Sequence, residues 1–536
     1  MRGEAASGPD GLSSTFYIEC WDILGNNLAA LIRKSWHSYY LSANIRMAAI
    51  VPIPKSLALD EVGDWRPISL LNIVCKLISK ILACRLAILV GMVVAKQQGG
   101  FIKGRGAFSN ILQAQLALAW AARSKFRGLA IKIDSHKAYD RVSHEFLFKL
   151  LCKLGFGDKL GKLIAMLYRD TPSFILINGH PAPTFTLGRG VRQGCPLAPL
   201  LYALTTQPLM ALLLAHQAAG ILKGWPVTET DAPFFLLFAN DLIVFIPESQ
   251  VFWNNLLEAI QVFCKASGNR INWTKCQVKH LLCNNAPDWI LHQPCTWLED
   301  RQLLTYMVAP LGPGVTAKDF IAIWARRANQ MLRGWETERM SMAGRAVLVR
   351  HCLAAVPEYL ASCGFPPFSN VDSFTTVIRA FLWGRNLAGK PRKAQIAWDK
   401  LLMAKKFGGL GFRRIQTQAI KHNSKWIHSL KNLHSQVWHS SFCDVSGFPG
   451  KAGLGPCHEL SALEWLFMKP EAVRRANVTS PSLLAFWHHF RKTFTLSQLP
   501  DCLPARWPWW AVALLGPGRN CVSVHQILAN FGKLAN

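Results

Sequence analysis

Two acidic residues stand where the chain could place chemistry. Asp134 closes the apolar run LAIKID (129 to 134), and Asp241 sits in the polar break Ala239-Asn240-Asp241 within FFLLFANDLIVFI (234 to 246). Apolar β-prone runs joined by a short Asn/Asp connection predict a hairpin with the polar residues at its tip. A strand end followed at once by a helix, as IKID is by SHKAYDRVSHEFLFKLL, is where α/β enzymes tend to hold catalytic groups rigidly. Each acid also has a plainer reading: Asn240 and Asp241 simply make a turn, and Asp134 caps the helix. Cations recur nearby in sequence. Lys55 ends IVPIPK and Arg66 opens WRPISL, so a polar loop (57 to 64) could bring a point charge and a planar fork to one triphosphate, or leave both solvated. QQGGFIKGRG (97 to 106) is a Gly-rich basic loop whose backbone could approach a phosphate chain, with Lys103 and Arg105 supplying charge.

The elements that must position these residues read as follows. GPDG (8 to 11) is a turn signal, and Phe16, Trp21, Leu24 and Leu28 follow at helical spacing. The Pro-rich IVPIPK predicts an edge strand or extended arm. Leu70 to Val94 reads as one buried helix or two, and Ile111 to Arg123 as another. Residues 173 to 178 and 183 to 187 suggest a hairpin around Asn178-Gly179. RGVRQGCPLAPLLYALTTQPLMALLL (189 to 214) reads as a Gly turn entering a long apolar helix with Pro196 near its first turn. The open end of that helix, with Arg189 and Arg192 beside it, would favour an anionic ligand.

Size and composition bound the possibilities. The 536 residues can hold three or four domain-sized units without staples. Sixty Lys and Arg against 31 Asp and Glu leave a net charge of +29, which is too basic for an ordinary metabolic enzyme and points to a polyanion such as nucleic acid. Fifteen scattered Cys without a CxxC pair fit free thiols in a reducing compartment. The His and Cys of the tail (434, 439, 443, 457, 458, 521 and 525) lack the short regular spacing of a zinc site. MRGEAASGPDG has no apolar core and is no signal peptide, and neither 86 to 95 nor 197 to 222 is expected to span a bilayer. The expectation is an intracellular protein, in the nucleus or in a cytoplasmic ribonucleoprotein, with no membrane partner.

The ordered set IPK (53 to 55), WRPISL (65 to 70), QGGFIKGR (98 to 105), IDSHKAYDRV (133 to 142), RGVRQGCPLAPLLY (189 to 202) and FANDL (238 to 242) resembles the reverse transcriptases of non-LTR (LINE-type) retrotransposons. SGNRINWTK (267 to 275), YMVAPLG (306 to 312), FLWG and FGGLGFR continue the likeness to about residue 430. The resemblance implies an α+β right-hand polymerase: an N-terminal helical extension over 1–47, fingers and an antiparallel palm over 48–312, a helical thumb over 313–370, and a basic C-terminal region over 371–536. It implies RNA-directed DNA synthesis on an RNA template, from a DNA primer or target, with deoxynucleoside triphosphates and two Mg²⁺ ions. Carried over position by position, Asp134 and Asp241 become metal ligands and Lys275 a proton donor to the leaving pyrophosphate. Tyr139 becomes the residue under the sugar. Gln193 and Gly194 border the incoming nucleotide, and Lys55 and Arg66 contact its triphosphate.

The resemblance breaks at the tip of the hairpin. The family's Ala-Asp-Asp is Ala239-Asn240-Asp241 here, so an amide replaces a carboxylate at a catalytic position. Asn offers a carbonyl oxygen and no negative charge, and loss of one preorganised electrostatic element typically costs on the order of 10²–10³ in rate. Severely impaired activity is therefore expected, as in a relic copy that keeps only nucleic-acid binding. Ser135 and Met307 replace bulkier residues and Leu in the family pattern. No endonuclease is expected before GPDG and no RNase H after 430. Between 375 and 425 twelve Lys and Arg face one acid, Asp399, with aromatic residues interleaved. Arg392, Lys393, Lys405, Lys406, Arg413 and Arg414 are the expected nucleic-acid contacts of that stretch, unless it is merely a solvated basic face over an aromatic core.

Overall fold

The alternation of side chains along two strands decides the architecture. In the computed structural model β3 is Gly128–Asp134 and β8 is Asp241–Pro247, paired antiparallel from Gly128 with Pro247 to Asp134 with Asp241. Leu129, Ile131, Ile133, Leu242, Val244 and Ile246 point to one core, while Ala130, Ile243 and Phe245 point to a second on the opposite face. Both faces of this sheet are therefore covered along most of its length, which is why its strands read as continuous apolar runs. The structure describes residues 6–412, apart from 56–61, 227–233, 282–286, 292–294, 300–301, 313–314, 333–334, 336–339, 364–367 and 385–392.

The remaining strands are β1 (Ala48–Pro54), β2 (Trp65–Leu71), β4 (Thr171–Ile177), β5 (His180–Pro181), β6 (Phe185–Leu187), β7 (Phe235–Phe238), β9 (Gln277–Leu281), β10 (Thr296–Leu298), β11 (Leu304–Tyr306) and β12 (Ala309–Leu311). The first sheet runs β10-β9-β3-β8-β7, a second runs β2-β1-β4-β5 with β6 also on β4, and β11 with β12 forms a separate hairpin. The helices are α1 (Ser14–Glu19), α2 (Trp21–Ser38), α3 (Ala43–Arg46), α4 (Ile73–Val93), α5 (Ala107–Arg123), α6 (Ala138–Arg141), α7 (His144–Lys153), α8 (Gly157–Tyr168), α9 (Ala198–Thr205), α10 (Gln207–Ala218), α11 (Gln250–Ser267), α12 (Asp288–Leu291), α13 (Ala317–Leu332), α14 (Met342–His351), α15 (Val356–Cys363), α16 (Phe368–Trp383) and α17 (Trp398–Leu402). Residues of α4 and α7 to α11 fill the first core; residues of α5, the β11–β12 hairpin and α13 to α16 fill the second.

Three expectations need correction. The Pro-rich β1 is flanked on both sides, because only Ala48–Ile50 pair with β4, and Pro52 and Pro54 lie beyond that contact where no donor is required. The long apolar helix is two helices that meet at Thr206, with Gln207 and Pro208 opening the second. Leu70 to Val94 is strand and then one helix, since β2 runs to Leu71 and α4 starts at Ile73. Among the described residues Ala198–Ala218 is the one stretch long and apolar enough to cross a membrane, and 61% of its most apolar window is buried in the core.

Candidate active site

The two acids meet. Asp134 is the last residue of β3 and Asp241 the first of β8, directly opposite in the register. Such pairs hold their Cβ atoms about 4.5–5.5 Å apart on the same face. Asp134 does not cap a helix: Lys137 holds the N-cap position of α6 and Ser143 caps α7. Both carboxylates are half-buried, and neither makes a hydrogen bond or ion pair to a described residue. Burial raises the Asp241 pKa above the ordinary carboxylate value, the charge of Asp134 adds to the rise, and Lys132 offsets part of it. A divalent cation would reverse that penalty.

The hairpin between β7 and β8 turns through Ala239 and Asn240, with Phe238 paired to Asp241. Ala239 has a φ of +55°, a left-handed conformation that costs a residue with a side chain about 1–3 kcal/mol. Gln98, fully buried, holds it there. Its Oε1 accepts from the amides of Ala239 (2.8 Å) and Gly100 (2.9 Å), and its Nε2 donates to the Ala239 carbonyl (3.3 Å) and to Thr206 Oγ1 (3.1 Å). The Gly99 amide donates to the Leu237 carbonyl at 2.8 Å and the Leu237 amide to the Gln97 carbonyl at 3.0 Å. A Cβ on Gly100 would stand 2.3 Å from the Ala239 nitrogen. Asn110 donates to the Leu237 carbonyl (2.9 Å), and the Tyr306 hydroxyl reaches the Asp241 carbonyl (3.4 Å).

This clamp corrects the reading of residues 97 to 106 as a phosphate cradle at its first two glycines: Gly99 and Gly100 let backbone approach the acidic hairpin, whereas a Cβ on Gly104 or Gly106 would meet nothing within 4 Å. Arg105 is likewise occupied. Its guanidinium donates to the carbonyls of Ala95 (2.6 Å), Gln98 (3.0 Å), Gly91 (3.0 Å) and Val94 (3.1 Å), closing the C-terminus of α4. Lys103 is exposed on the following turn. Arg192 is also no ligand for an anion at the mouth of α9. It is buried, donates to the carbonyls of Arg46 (3.1 Å) and Leu167 (2.8 Å), and lies over the Tyr168 ring at 5.1 Å. Arg189 stays exposed.

Several predicted cations do gather at the carboxylate end. His136, two residues after Asp134, is lowered in pKa by burial and by Arg141, Lys137, Lys275 and Lys55. Lys55 and Lys275, 220 positions apart, therefore act on one point. The loop after α11 brings Lys275 there, with the Asn272 amide donating to the Asp134 carbonyl and the His136 amide to the Arg270 carbonyl, each at 2.8 Å. Lys55 follows the last pair of the β1–β2 hairpin, Pro54 with Trp65, and Arg66 lies one pair back, exposed, opposite Ile53. The Lys55 ammonium donates to the Gly63 carbonyl at 2.7 Å.

Tyr139 stacks on the buried Tyr202 ring with centroids 4.8 Å apart and 13° between planes, and Phe101 meets its edge at 6.3 Å. Gln193 donates to Asp140 at 3.2 Å, and its carbonyl accepts from the Ser69 amide at 2.7 Å. Gly194 has a φ of +112°, and a Cβ there would lie 2.5 Å from the Ser69 carbonyl oxygen. Burial raises the Asp140 pKa, with Gln193, Lys137 and Lys55 opposing. Ser135 and Asn240, both departures from the family pattern, line one small cavity together with Tyr202 and Asn269. Met307 is buried in the β11–β12 turn with a φ of +47°.

Sequence reasoning missed Gln98 and Lys132. Gln98 is the last of the polar residues Lys96-Gln97-Gln98 and directly precedes two glycines, a signal that a close backbone approach needs a partner. Lys132 is the one polar residue within LAIKI. Of the C-terminal cations Lys393, Lys405 and Lys406 are exposed, whereas Arg392, Arg413 and Arg414, with the His and Cys of the tail, lie outside the described residues. The aromatics there are partly consumed internally: Trp383 and Phe412 are buried, and Arg379 covers Trp398 at 5.1 Å. Phe407 stays exposed under Lys406.

The donor set at Asp134 and Asp241 is of hard oxygens, which suits Mg²⁺, but it carries two negative charges against the four positive of two ions. No group of three or more His, Cys, Asp or Glu that could hold a metal occurs among the described residues.

The family model for reverse transcriptase (RNA-dependent DNA polymerase) matches residues 53–308. An uncharacterized 149 kDa protein of transposon TX1 from Xenopus laevis is 30% identical over 390 residues, 72% of this chain and 29% of that protein. The retrovirus-related Pol polyprotein of the type-2 retrotransposable element R2DM from Drosophila melanogaster is 29% identical over 237 residues, covering 44% of this chain and 21% of its own length. The chain thus spans less than a third of either relative. An apo telomerase of Candida tropicalis shares 14% identity at a TM-score of 0.35, over 51% of this chain and 54% of its own.

Proposed function

Because residues 53–308 are a reverse transcriptase domain, we propose that the chain is the polymerase part of a non-LTR retrotransposon protein, an RNA-directed DNA polymerase extending a DNA primer or target on an RNA template. The observation that carries this reading is the cross-strand pairing of Asp134 with Asp241, both unpartnered and half-buried, at the end of the sheet where Lys55 and Lys275 converge. Mg²⁺ ions, when bound, would stabilise the attacking and leaving oxygens of the in-line displacement. Asp134 and Asp241 would hold them, and Asn240 would add an uncharged oxygen where the chemistry wants a negative one.

The other residues take their roles from position. Lys55 and Arg66 would neutralise the triphosphate, and Lys275 would pass a proton to the pyrophosphate as it leaves. Tyr139, fixed between Tyr202 and Phe101, would form a wall under the sugar. Gln193, held by Asp140 and Ser69, would border the incoming nucleotide. Lys393, Lys405 and Lys406 would grip the nucleic-acid backbone through counterion release.

One observation favours a second reading, a nucleic-acid-binding relic: the missing charge at Asn240. Primer extension with Mg²⁺ and deoxynucleotides separates the two. Asn240→Asp should extend a recessed primer on RNA at least about 10²-fold faster than the native chain. If neither protein extends it while both bind the duplex, the polymerase reading of this copy is wrong and the relic reading stands.

A further inference from the structure

Lys132 lies two residues before Asp134 on β3, so the two side chains leave the same face of the sheet. It pairs in register with Ile243, two residues beyond Asp241, and on its other side with Gln277 of β9. The Gln277 side-chain oxygen accepts from the Thr305 amide of β11 at 3.1 Å, so Lys132 sits between the acidic pair and the region where the β11–β12 hairpin closes over the sheet. Its ammonium bears on both Asp241 and Cys276. Yet it forms no ion pair and no hydrogen bond with a described residue, although it is half-buried. The residue as a whole is half-buried, while its ammonium is not among the buried polar atoms and so stays open to a ligand. A lysine serving as counter-ion to Asp241 would have closed onto it.

We propose that Lys132 binds a phosphodiester of the primer strand, the one on the 5′ side of the terminal nucleotide. This rests on the polymerase reading above, which sets the primer's 3′ oxygen at Asp134 and Asp241. Strands rise about 3.3 Å per residue, so Lys132 stands roughly 6.6 Å behind Asp134 along β3. That is comparable to one nucleotide of backbone, so the preceding phosphate falls at the lysine. Asp134 and Asp241 keep the lysine from being purely a metal-repelling charge, and the lysine keeps the phosphate from facing two bare carboxylates.

The test is a cycle of one protein change against one phosphate change. The full chain, native or Lys132→Met, is titrated by fluorescence anisotropy with an RNA template carrying a recessed DNA primer. The primer is either unmodified or carries a neutral methylphosphonate at that single linkage. Each change alone should weaken binding about tenfold, as for one charge-assisted hydrogen bond. Together they should cost little more than either alone. The salt slope should fall by about 0.9 in Lys132→Met, and Lys132→Arg should keep most of the affinity. The methylphosphonate arm on the native chain needs no variant to fold. Losses that multiply overturn the proposal, as does unchanged duplex affinity in Lys132→Met whether or not Mg²⁺ binding tightens. If the native chain binds no primer–template duplex at all, the polymerase reading fails and this proposal with it.

Discussion

Replacing Gln98 with Met tests whether the acidic hairpin is held by its clamp or by strand pairing alone. Met matches Gln in length and fills the same space, so the change removes hydrogen bonds without opening a large cavity. The amides of Ala239 and Gly100 lose their acceptor, and the Ala239 carbonyl loses a donor. Leaving a buried donor unsatisfied costs about 1–3 kcal/mol, so the two amides together cost about 2–6 kcal/mol. Relaxation of Ala239 out of its left-handed conformation returns about 1–3 kcal/mol of that. At the middle of these ranges the net local destabilisation is about 2 kcal/mol, which corresponds to roughly thirtyfold faster amide exchange at Leu237 to Asp241, since 1.4 kcal/mol is about tenfold. Hydrogen exchange read by mass spectrometry over that segment measures it. Thr206→Val, which removes only one partner of the Gln98 amide, should change exchange there by no more than about tenfold. Exchange in Gln98→Met within threefold of the native chain would show that the β7–β8 ladder suffices and that Gln98 is a bystander.

Two further outcomes follow from the loop that carries Gln193. Gly194→Ala places a Cβ 2.5 Å from the Ser69 carbonyl oxygen at a φ of +112°. It should destabilise the domain by about 2–3 kcal/mol in urea unfolding, and an unchanged midpoint would mean β2 yields freely. His144 bonds the Gly190 carbonyl at 2.9 Å, and burial, its largest influence, lowers its pKa despite that bond. The imidazole of the folded state thus resists a proton that the unfolded chain accepts near pH 6.5, so its contribution is intact above that pH and is lost as pH falls below it. The unfolding midpoint should drop between about pH 6.5 and 5.5, and His144→Gln should flatten that part of the profile; equal slopes in both proteins would exclude His144 as the cause.

Much of this site was legible in the sequence because it lies in local patterns. Apolar runs flanking Asn-Asp gave the hairpin and LAIKID gave the strand, and each placed an acid at a strand end. What pairs with what was legible only through the resemblance, since nothing local says that position 134 faces 241. The loop at 97 to 106 was misread for a physical reason. Glycines that admit a phosphate and glycines that admit another strand look alike in sequence, and Gln98, the residue that distinguishes them, is read only once its four partners are known. Arg105 and Arg192 were misread similarly. An arginine bonded to backbone carbonyls has no partner that a sequence can show.

These partners also explain why the fold tolerates Asn240. The register of β3 with β8 is fixed by alternation, since a slip of one residue would exchange the members of the two cores. The turn is fixed by Gln98, whose hydrogen bonds to the turn go to the backbone of Ala239. None of these contacts uses the side chain at 240. Exchange of a carboxylate for an amide there is therefore nearly free for folding. Its cost falls on the charge that the acidic pair can set against a divalent cation, where Lys132 already offsets part of what Asp134 and Asp241 supply. The frame of the site and its charge are separable properties of this chain, and a single substitution can remove the second while the first persists.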